Sequence, residues 1–425
     1  MPNLEKRPQS EVKSVVVEVN RYRAEHGLDQ HVVRWFLSKA GNPNISMRLW
    51  TGDEFSTPGS RPVGCLELRS RRAFLKLLQS PSMGLGECYR KGLLEVHGDF
   101  LAVANEITSA LVRKQTGKYY RPKIRSLVHA IKVNSKNKSR HNVHHHYDLG
   151  NDFYKLWLDE RMVYTCAYFE KPTATLDEAQ VAKLEHVCRK LNLQPGQTVI
   201  DAGCGWGALA MHMAEHHGVR VIAYNLSSEQ IDYAREQAAA KQLGDRVKFL
   251  QEDYRDINTR CDAFVSIGML EHVGLANYGH LGALVQRCLK PEGFGLIHSI
   301  GRSHSAIADP WITKYIFPGG HMPSLSEMMR VFEPYRFSIL DVENLRPHYA
   351  RTCAIWLENF EAESGRITAT YGEDFVRMWR LYLAGSSAGF QSGTLQLFQI
   401  LFTPRGNNEV PWTRKYQYQP KRRLS

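Results

Sequence analysis

The chain has 425 residues, of which 43% are hydrophobic and 23% charged; this excludes an intrinsically disordered chain and allows about two or three domains. Lys and Arg outnumber Asp and Glu by 55 to 43, and the net charge of +12 indicates an anionic partner, either nucleic acid or an anionic membrane surface. No apolar run approaches the roughly 20 residues of a membrane span. Met1–Asn20 lacks the apolar core of a signal peptide, so we expect a cytoplasmic protein.

The cysteines are scattered through the chain. There are eight, and no two have the CxxC spacing of a common zinc site. Cytosolic proteins keep such thiols reduced. The sequence therefore predicts neither a disulfide framework nor a metal site.

Residues 1–110 are predicted to form a small α+β domain used for binding or packing. The apolar pattern predicts short strands at Arg48–Trp50 and Val63–Leu68 and a helix at Ser70–Gln79. A further strand is expected near Leu93–Gly98. Nothing in this block offers a nucleophile beside a base.

Residues 111–145 are predicted to be an exposed basic linker. Between Arg113 and Arg140 the sequence holds ten Lys or Arg and no acid, and it lacks a periodic apolar pattern. A second basic cluster runs from Arg414 to Arg423. Composition leaves two interpretations open for both segments, a solvated stretch of chain or a surface that binds an anionic partner.

From residue 146 to 425, short apolar strands alternate with helices. This pattern predicts an α/β domain built on a doubly wound parallel sheet. The strands are expected at Val199–Ala202, Val219–Asn225, Val247–Leu250, Ala263–Ile267 and Phe294–Ile300. The helices are expected at Ala208–His216, Ser228–Gln242 and Leu281–Leu289.

The first strand of this region leads into a glycine-rich turn. Gly203 and Gly205 lack the β-carbon that would hold a ligand away from the backbone. Dinucleotide enzymes share this signal, but a dehydrogenase more often has Asp or Glu where the second strand ends in Asn225. The third strand ends in Asp253 and Tyr254, an acid and a ring that could bracket adenine. The pattern indicates a nucleotide-like ligand above the turn.

Several segments resemble those of the cyclopropane fatty acid synthases, including the mycolic acid cyclopropane synthases. They are His145–Tyr154, Tyr164–Phe169, Asp201–Gly207, Ser266–Gly274, Ile297–Gly301, Tyr315–Gly320 and His348–Tyr349. The resemblance covers about 146 to 425 and implies the Rossmann-like fold of class I S-adenosylmethionine-dependent methyltransferases. The N-terminal block is similar to the lipid-binding domain of the phospholipid-acting branch, chiefly through Gly84–Tyr89. That similarity favours a phospholipid substrate.

The resemblance implies methyl transfer from S-adenosylmethionine to a cis double bond of an unsaturated phospholipid acyl chain. The alkene attacks the sulfonium methyl, and a bound bicarbonate then removes a proton so that a cyclopropane ring closes. An alkene needs no activated nucleophile, so the site has to orient it, exclude water and stabilise a cation. C-methylation without ring closure, giving methyl-branched or methylene acyl chains, is the alternative. A lipid-binding protein without catalysis and a nucleic-acid methyltransferase are less favoured.

The matching segments also imply site residues. The bicarbonate would be held by the backbone at Cys166 and Ile300 and by the side chains of Glu271, His298 and Tyr349. The cofactor would contact Tyr164, Thr165, Gly203, Gly205, Asn225, Leu226, Gln230, Asp253, Tyr254 and Ile267. Because the role of Cys166 uses its backbone, we reject this thiol as a nucleophile. The segment Ser386–Phe390 and His321 depart from the family pattern, which frequently has a Cys within that segment and a Cys in place of His321.

The resemblance also implies where the enzyme would bind its substrate. The acyl double bond lies deep in a bilayer, so the enzyme has to dock peripherally on the inner face of the membrane and draw a chain into an apolar pocket. Basic residues near an anionic leaflet contribute about 1 kcal/mol each. We expect unsaturated phospholipids as partners and no nucleic acid, with a homodimer left open.

Overall fold

The computed structural model describes residues 29–115 and 149–419. The chain divides into two compact units, Met1–Lys118 and Tyr119–Ser425. Over the described ranges, no helix combines the length and the apolar character needed to cross a bilayer. Most of the predicted basic linker lies outside these ranges, so its exposure stays a prediction.

The N-terminal unit is an α+β fold, as predicted. Its four-stranded sheet has the order β2-β1-β3-β4, in which only the β1–β3 pair is parallel. The strands are β1 at Ser46–Arg48, β2 at Glu54–Ser56, β3 at Gly64–Leu68 and β4 at Leu94–Gly98. The helices are α1, described over 29–39, α2 at Arg71–Gln79, α3 at Pro81–Arg90 and α4 at Phe100–Gln115.

Two sequence predictions for this unit need correction. The strand expected at Arg48–Trp50 lies two residues earlier, and α4 continues to Gln115 through the boundary predicted at residue 110. The Gly84–Tyr89 segment lies inside α3. A β-carbon on Gly84 would lie 2.4 Å from the carbonyl oxygen of Lys76, so the glycine allows α3 to pack closely on α2.

The second unit is built on a seven-stranded sheet with the order β10-β11-β9-β8-β5-β6-β7. The strands are β5 at Thr198–Ala202, β6 at Arg220–Tyr224, β7 at Val247–Leu250, β8 at Cys261–Ile267, β9 at Leu289–Gly301, β10 at Phe337–Asn344 and β11 at Gln396–Pro404. Strands β5 to β9 are parallel, whereas β11 runs antiparallel to both of its neighbours. The five predicted strands are parallel, as expected, and the sheet becomes mixed at the β10–β11 edge, where no strand was predicted.

Helices cover both faces of this sheet. They are α5 at Asn151–Lys155, α6 at Leu176–Lys190, α7 at Ala208–His217, α8 at Ser228–Ala240, α9 at Leu270–Val273, α10 at Tyr278–Cys288, α11 at Pro310–Tyr315, α12 at Leu325–Met328, α13 at Arg346–Ala362, α14 at Ser364–Tyr371, α15 at Glu373–Ser392 and α16 at Lys415–Tyr418. Successive strand residues point to opposite faces, so Leu296 joins one buried apolar core and Ile297 joins the other. Two cores with one sheet between them confirm the doubly wound α/β class.

Most predicted helices and strands of this unit are present with small shifts. Ser227 caps α8, accepting a hydrogen bond from the Gln230 N–H. Helix α10 begins at Tyr278, three residues before the predicted start, and this tyrosine is fully buried. Strand β9 begins at Leu289, so it takes in the last residue of the predicted helix and starts five residues before the predicted Phe294.

An aromatic cluster fills the space between α5, α13 and α15. The rings of Phe153, Trp157 and Trp379 lie 5.0 to 6.0 Å apart in edge-to-face geometry, and all three are buried. Tyr154 extends the cluster to Trp206 in the glycine-rich turn, with ring centroids 5.0 Å apart. The indole N–H of Trp206 donates a 2.7 Å hydrogen bond to Asn151 Oδ1. The turn is thus anchored to α5 and through it to the aromatic core.

Candidate active site

A cavity of about 280 Å³ opens where the parallel strands reach their carboxyl ends, which is the usual ligand position in this fold class. Most of its surface is apolar. All ten predicted cofactor contacts line it, namely Tyr164, Thr165, Gly203, Gly205, Asn225, Leu226, Gln230, Asp253, Tyr254 and Ile267. The structure thus brings together residues that span more than 100 positions of the sequence.

The glycine-rich turn needs glycine for two different reasons. Gly203, Gly205 and Gly207 all have positive φ, at +89°, +55° and +84°. A β-carbon on Gly207 would lie 2.7 Å from the ring of Phe249, so this glycine serves packing. A β-carbon on Gly205 would meet no protein atom within 4 Å, so the space above it is left for a ligand.

Asn225, the residue that follows β6, fixes the end of this strand with a side-chain amide rather than a carboxylate. Asn225 Nδ2 donates to Gln230 Oε1 at 2.7 Å and to the Gly205 carbonyl at 3.2 Å. Its Oδ1 accepts the backbone N–H of Leu226 at 2.8 Å. Only an amide supplies both donors and an acceptor, which gives a physical reason for Asn where a dehydrogenase has an acid.

The acid at the end of β7 is already paired. Asp253 is 1% exposed, and its two carboxylate oxygens each lie 2.7 Å from the guanidinium of Arg255. Asp253 therefore lines the cavity without a free carboxylate. Glu252 also lines the cavity, is exposed, and has no hydrogen bond to another described residue. It is the more available acid at this strand end.

Lys183 is a cavity residue that the sequence analysis missed. This lysine on α6 is 2% exposed, and its Nζ donates to Thr165 Oγ1 at 3.1 Å. Burial lowers its pKa to about 8. Burial also raises the pKa of Asp201, below the glycine-rich turn, to about 7, and Asp201 Oδ2 has no hydrogen-bond partner among the described residues. The only sequence signal was a lysine beside Leu184 on the apolar face of a helix.

Glu271 and Ile300 meet at the ends of β8 and β9. Glu271 is 7% exposed, and its Oε1 accepts the Ile300 N–H at 2.6 Å. Its Oε2 is buried without a partner in the described chain. Burial raises the pKa of Glu271 to about 7, so both protonation states are accessible near neutral pH. Both residues line the cavity, as predicted, but here the Ile300 N–H is bonded to the carboxylate of Glu271.

His298 is fixed by a neighbouring strand. It lies opposite Gln399 in the β9–β11 pair, and Gln399 Nε2 donates to its Nδ1 at 3.0 Å. Burial lowers the pKa of His298 to about 3, so the imidazole is neutral and carries its proton on Nε2. That Nε2 is buried and has no partner among the described residues. His298 is 1% exposed and does not line the cavity itself.

Tyr349 and Cys166 complete the predicted catalytic set. Tyr349 lines the cavity and stacks on Phe390 at 4.4 Å, and burial raises the pKa of its phenol. Cys166 is fully buried outside the cavity lining. Burial raises the pKa of its thiol, and its Sγ donates to the Ala167 carbonyl. An uncharged buried thiol is a poor nucleophile, which agrees with the rejection of Cys166 as a nucleophile; the role of its backbone stays a prediction.

The two departures from the family pattern also lie at the cavity. Both Ser386 and His321 line it. The backbone N–H of His321 donates to the Glu271 carbonyl at 2.8 Å, so this loop supports the short helix that carries Glu271. Of the aromatic residues in the C-terminal part of the chain, Tyr382 and Phe390 line the cavity, whereas Trp379, Phe398 and Phe402 do not.

Comparison with known proteins identifies the group to which this chain is similar. The mycolic acid cyclopropane synthetase family matches residues 134–400. The chain is 39% identical to cyclopropane-fatty-acyl-phospholipid synthase of Escherichia coli K12 over 349 residues, which cover 81% of this chain and 89% of that protein. It is 36% identical to a probable fatty acid methyltransferase of Pseudomonas putida over 389 residues, 88% and 96% of the two chains.

A solved structure agrees with these sequence relatives. The mycolic acid cyclopropane synthase CmaA1, complexed with SAH and CTAB, superposes with a TM-score of 0.59 at 33% identity. The match covers 62% of this chain and 97% of that one. The chain therefore belongs to the mycolic acid cyclopropane synthetase family, and it is an S-adenosylmethionine-dependent methyltransferase.

Proposed function

We propose that the protein transfers the methyl group of S-adenosylmethionine to a cis double bond of an unsaturated phospholipid acyl chain and closes a cyclopropane ring. The observation that carries this proposal is the buried Oε2 of Glu271, which lines an apolar cavity and has no partner among the described residues; His298 Nε2, on the adjoining strand β9, also lacks one. The Escherichia coli relative named cyclopropane-fatty-acyl-phospholipid synthase, which matches most of the chain, supports the substrate class.

The residues around these atoms fit a small oxyanion such as bicarbonate. The neutral imidazole of His298 offers an N–H donor, the phenol of Tyr349 a second donor, and Glu271 an acceptor for a hydroxyl. His298 lies two residues before Ile300, whose N–H binds Glu271, so the two partnerless atoms belong to neighbouring residues of the site and support a small polar ligand there. Bicarbonate held by these groups, with the backbone at Cys166 and Ile300, would supply the base that accepts the proton lost on ring closure.

The cofactor supplies an electrophilic methyl group, and the chain has to hold it in line with the alkene. The backbone at Gly205 leaves room for it, and the Asn225–Gln230 amide pair fixes the adjoining wall. We assign Lys183 and Asp201 to the methionine part, because a zwitterion needs a group of each sign nearby.

The acyl chain would be enclosed by the apolar part of the cavity, which includes Ile312, Phe317 and Phe390. Such a wall keeps water from the carbocation that methyl transfer generates. Ring faces of Phe317 and Phe390 would also stabilise positive charge. These residues therefore bind and protect the alkene without needing to act as acids or bases.

We further propose peripheral docking on the inner, anionic face of a membrane. The net charge of +12 and the ten basic residues between Arg113 and Arg140 support it. Reversible binding to vesicles that contain anionic phospholipid, weakened by salt, is the expected behaviour. Equal binding to neutral and anionic vesicles would contradict it.

C-methylation without ring closure is the second candidate. The Pseudomonas putida relative is named a probable fatty acid methyltransferase and is matched over 96% of its length. Both reactions start with the same methyl transfer. The ring closes when the added methyl loses a proton directly, whereas a methylene chain forms when a hydride shift to the cationic carbon comes first. A saturated methyl branch would need an added reductant. A base placed to reach the added methyl favours the ring.

One experiment separates the two candidates. The protein is incubated with labelled S-adenosylmethionine and vesicles of unsaturated phospholipid, and the fatty acids are examined by mass spectrometry and proton NMR. A gain of one CH2 with upfield ring protons and no vinylic signal is expected. Vinylic signals in the product would favour a methylene chain, and absence of label in the lipid would refute both candidates. Bicarbonate-depleted buffer should slow the reaction.

A further inference from the structure

A cluster of potential metal ligands lies between α6 and α7, outside the cavity. One ligand atom each of Cys188, His212 and His217 lies within 4.8 Å of the other two. Glu185 lies beside two of them, with its Oε2 2.9 Å from His217 Nε2 and 3.3 Å from His212 Nε2. Three side chains of ligating type therefore lie close together, and a fourth contacts both imidazoles.

The helical positions explain why these side chains meet. Glu185 and Cys188 are three residues apart on α6, so they lie on the same side of that helix. His212 and His217 come from α7, which packs against α6. A site on two packed helices is held more firmly than one on loops.

The ligand types fit a zinc-like divalent cation. Thiolate, imidazole and carboxylate are the ligands that Zn²⁺ takes in tetrahedral sites. With bonds of about 2.3 Å to sulfur and about 2.0 Å to nitrogen, tetrahedral ligand atoms lie roughly 3.5 Å apart. The three atoms of Cys188, His212 and His217 would have to approach one another by no more than about 1.3 Å for a cation to bind among them.

The side chains of this cluster lie close enough together for a cation to bind among them after that small approach. The carboxylate of Glu185 accepts hydrogen bonds from both imidazoles. The Cys188 thiol is fully buried in the apolar core. On binding, Cys188 would lose its proton to solvent as the metal–sulfur bond forms, and the two neutral imidazoles would donate their lone pairs.

An entry path lies on the outer side of Glu185. A surface groove there is lined by four acids and two arginines, so its charge favours cations. The acids are Glu170, Asp177, Glu178 and Glu185, and the arginines are Arg161 and Arg189. Glu185 thus belongs to both the groove and the ligand cluster.

We propose that Glu185, Cys188, His212 and His217 form a structural site for one Zn²⁺-like cation. Bound metal would fasten α6, which carries Lys183 to the cofactor cavity, to α7, which follows the glycine-rich turn. The absence of CxxC spacing had predicted no metal site. That spacing test does not detect ligands that come from two helices.

The test uses the full-length protein freed of metal with a chelator. Titration with Zn²⁺ should show one tight equivalent per chain and a rise in Tm. Co²⁺ should give the d–d bands of a tetrahedral site together with a thiolate-to-metal charge-transfer band. Cys188→Ala should abolish the charge-transfer band, and His217→Gln should weaken Zn²⁺ binding at least tenfold.

The matched control is His280→Ala, which removes an exposed histidine on α10 and should leave Zn²⁺ affinity unchanged. Because Cys188→Ala empties a buried position, the Tm of each chelated variant is compared with that of the chelated parent. His217→Gln lies near the surface, so it tests the site even if the core variant fails to fold. No stoichiometric binding to the parent, or equal affinity in the parent and His217→Gln, would overturn the proposal.

Discussion

Replacement of Glu271 by glutamine tests the electrostatics of the site, because it keeps the shape and removes the ionisation. Burial moves the pKa of Glu271 from the ordinary 4.5 to about 7. Between these values the folded protein binds a proton that the unfolded chain has released, so the free energy of unfolding falls as pH rises. At about 1.4 kcal/mol per pH unit, the ionised carboxylate costs the folded state about 3 kcal/mol above pH 7.

Glu271→Gln should therefore lose activity while gaining stability at alkaline pH. Urea unfolding at pH 5 and pH 8 should show that the parent loses about 3 kcal/mol more than the variant over this interval. If ionised Glu271 is the active form, kcat/KM of the parent rises about tenfold from pH 6 to pH 8, as the ionised fraction rises from about a tenth to about nine-tenths. Methyl transfer from labelled S-adenosylmethionine to phospholipid vesicles measures this rise.

The matched control is Glu292→Gln, at an exposed position on β9, which should change neither profile. The reasoning fails if Glu271→Gln keeps the pH profile of the parent enzyme. It also fails if the change in free energy of unfolding between pH 5 and pH 8 is the same in the parent and in Glu271→Gln, because burial would then not destabilise the ionised carboxylate of Glu271.

Three further substitutions test the cavity. Lys183→Met should weaken S-adenosylmethionine binding more than tenfold by calorimetry, because Asp201 loses its nearest counter-charge, whereas exposed Lys248→Met should not. Cys166→Ser should retain most activity, since the buried thiol does not reach the cavity; near-total loss of activity would indicate thiol chemistry. Asn225→Asp should reduce cofactor affinity, because a carboxylate would face two carbonyl oxygens that now accept its amide hydrogens; unchanged affinity would refute this account of the amide.

Local patterns predicted the centre of the sheet well and its edge poorly. The strand that ends at Ala202 is a short apolar run before glycines, so it is visible in the sequence. Strands β10 and β11 were missed, because their pairing joins residues far apart, as Asn344 with Phe398. A pairing of that kind leaves no mark within a window of ten or twenty residues.

The same limit applies to the site. The ten predicted cofactor contacts followed from strand ends and matching segments, and these residues line one cavity. Lys183 was missed because burial of a lysine is a property of the packed helix, and a sequence pattern assigns such a residue to the surface. The tautomer of His298 depends on Gln399, 101 residues away, and no spacing rule links the two.

The anchoring of Trp206 has an optical consequence. This indole lines the cofactor cavity, donates to Asn151, and lies beside the ring of Tyr154. A ligand above the glycine-rich turn would change the polarity around its ring, whereas fully buried Trp157 and Trp379 belong to the rigid aromatic core. The intrinsic fluorescence of the protein should therefore contain one emitter that responds to the cofactor over a nearly constant background. Binding and release of the methyl donor can then be followed by stopped flow without an added dye.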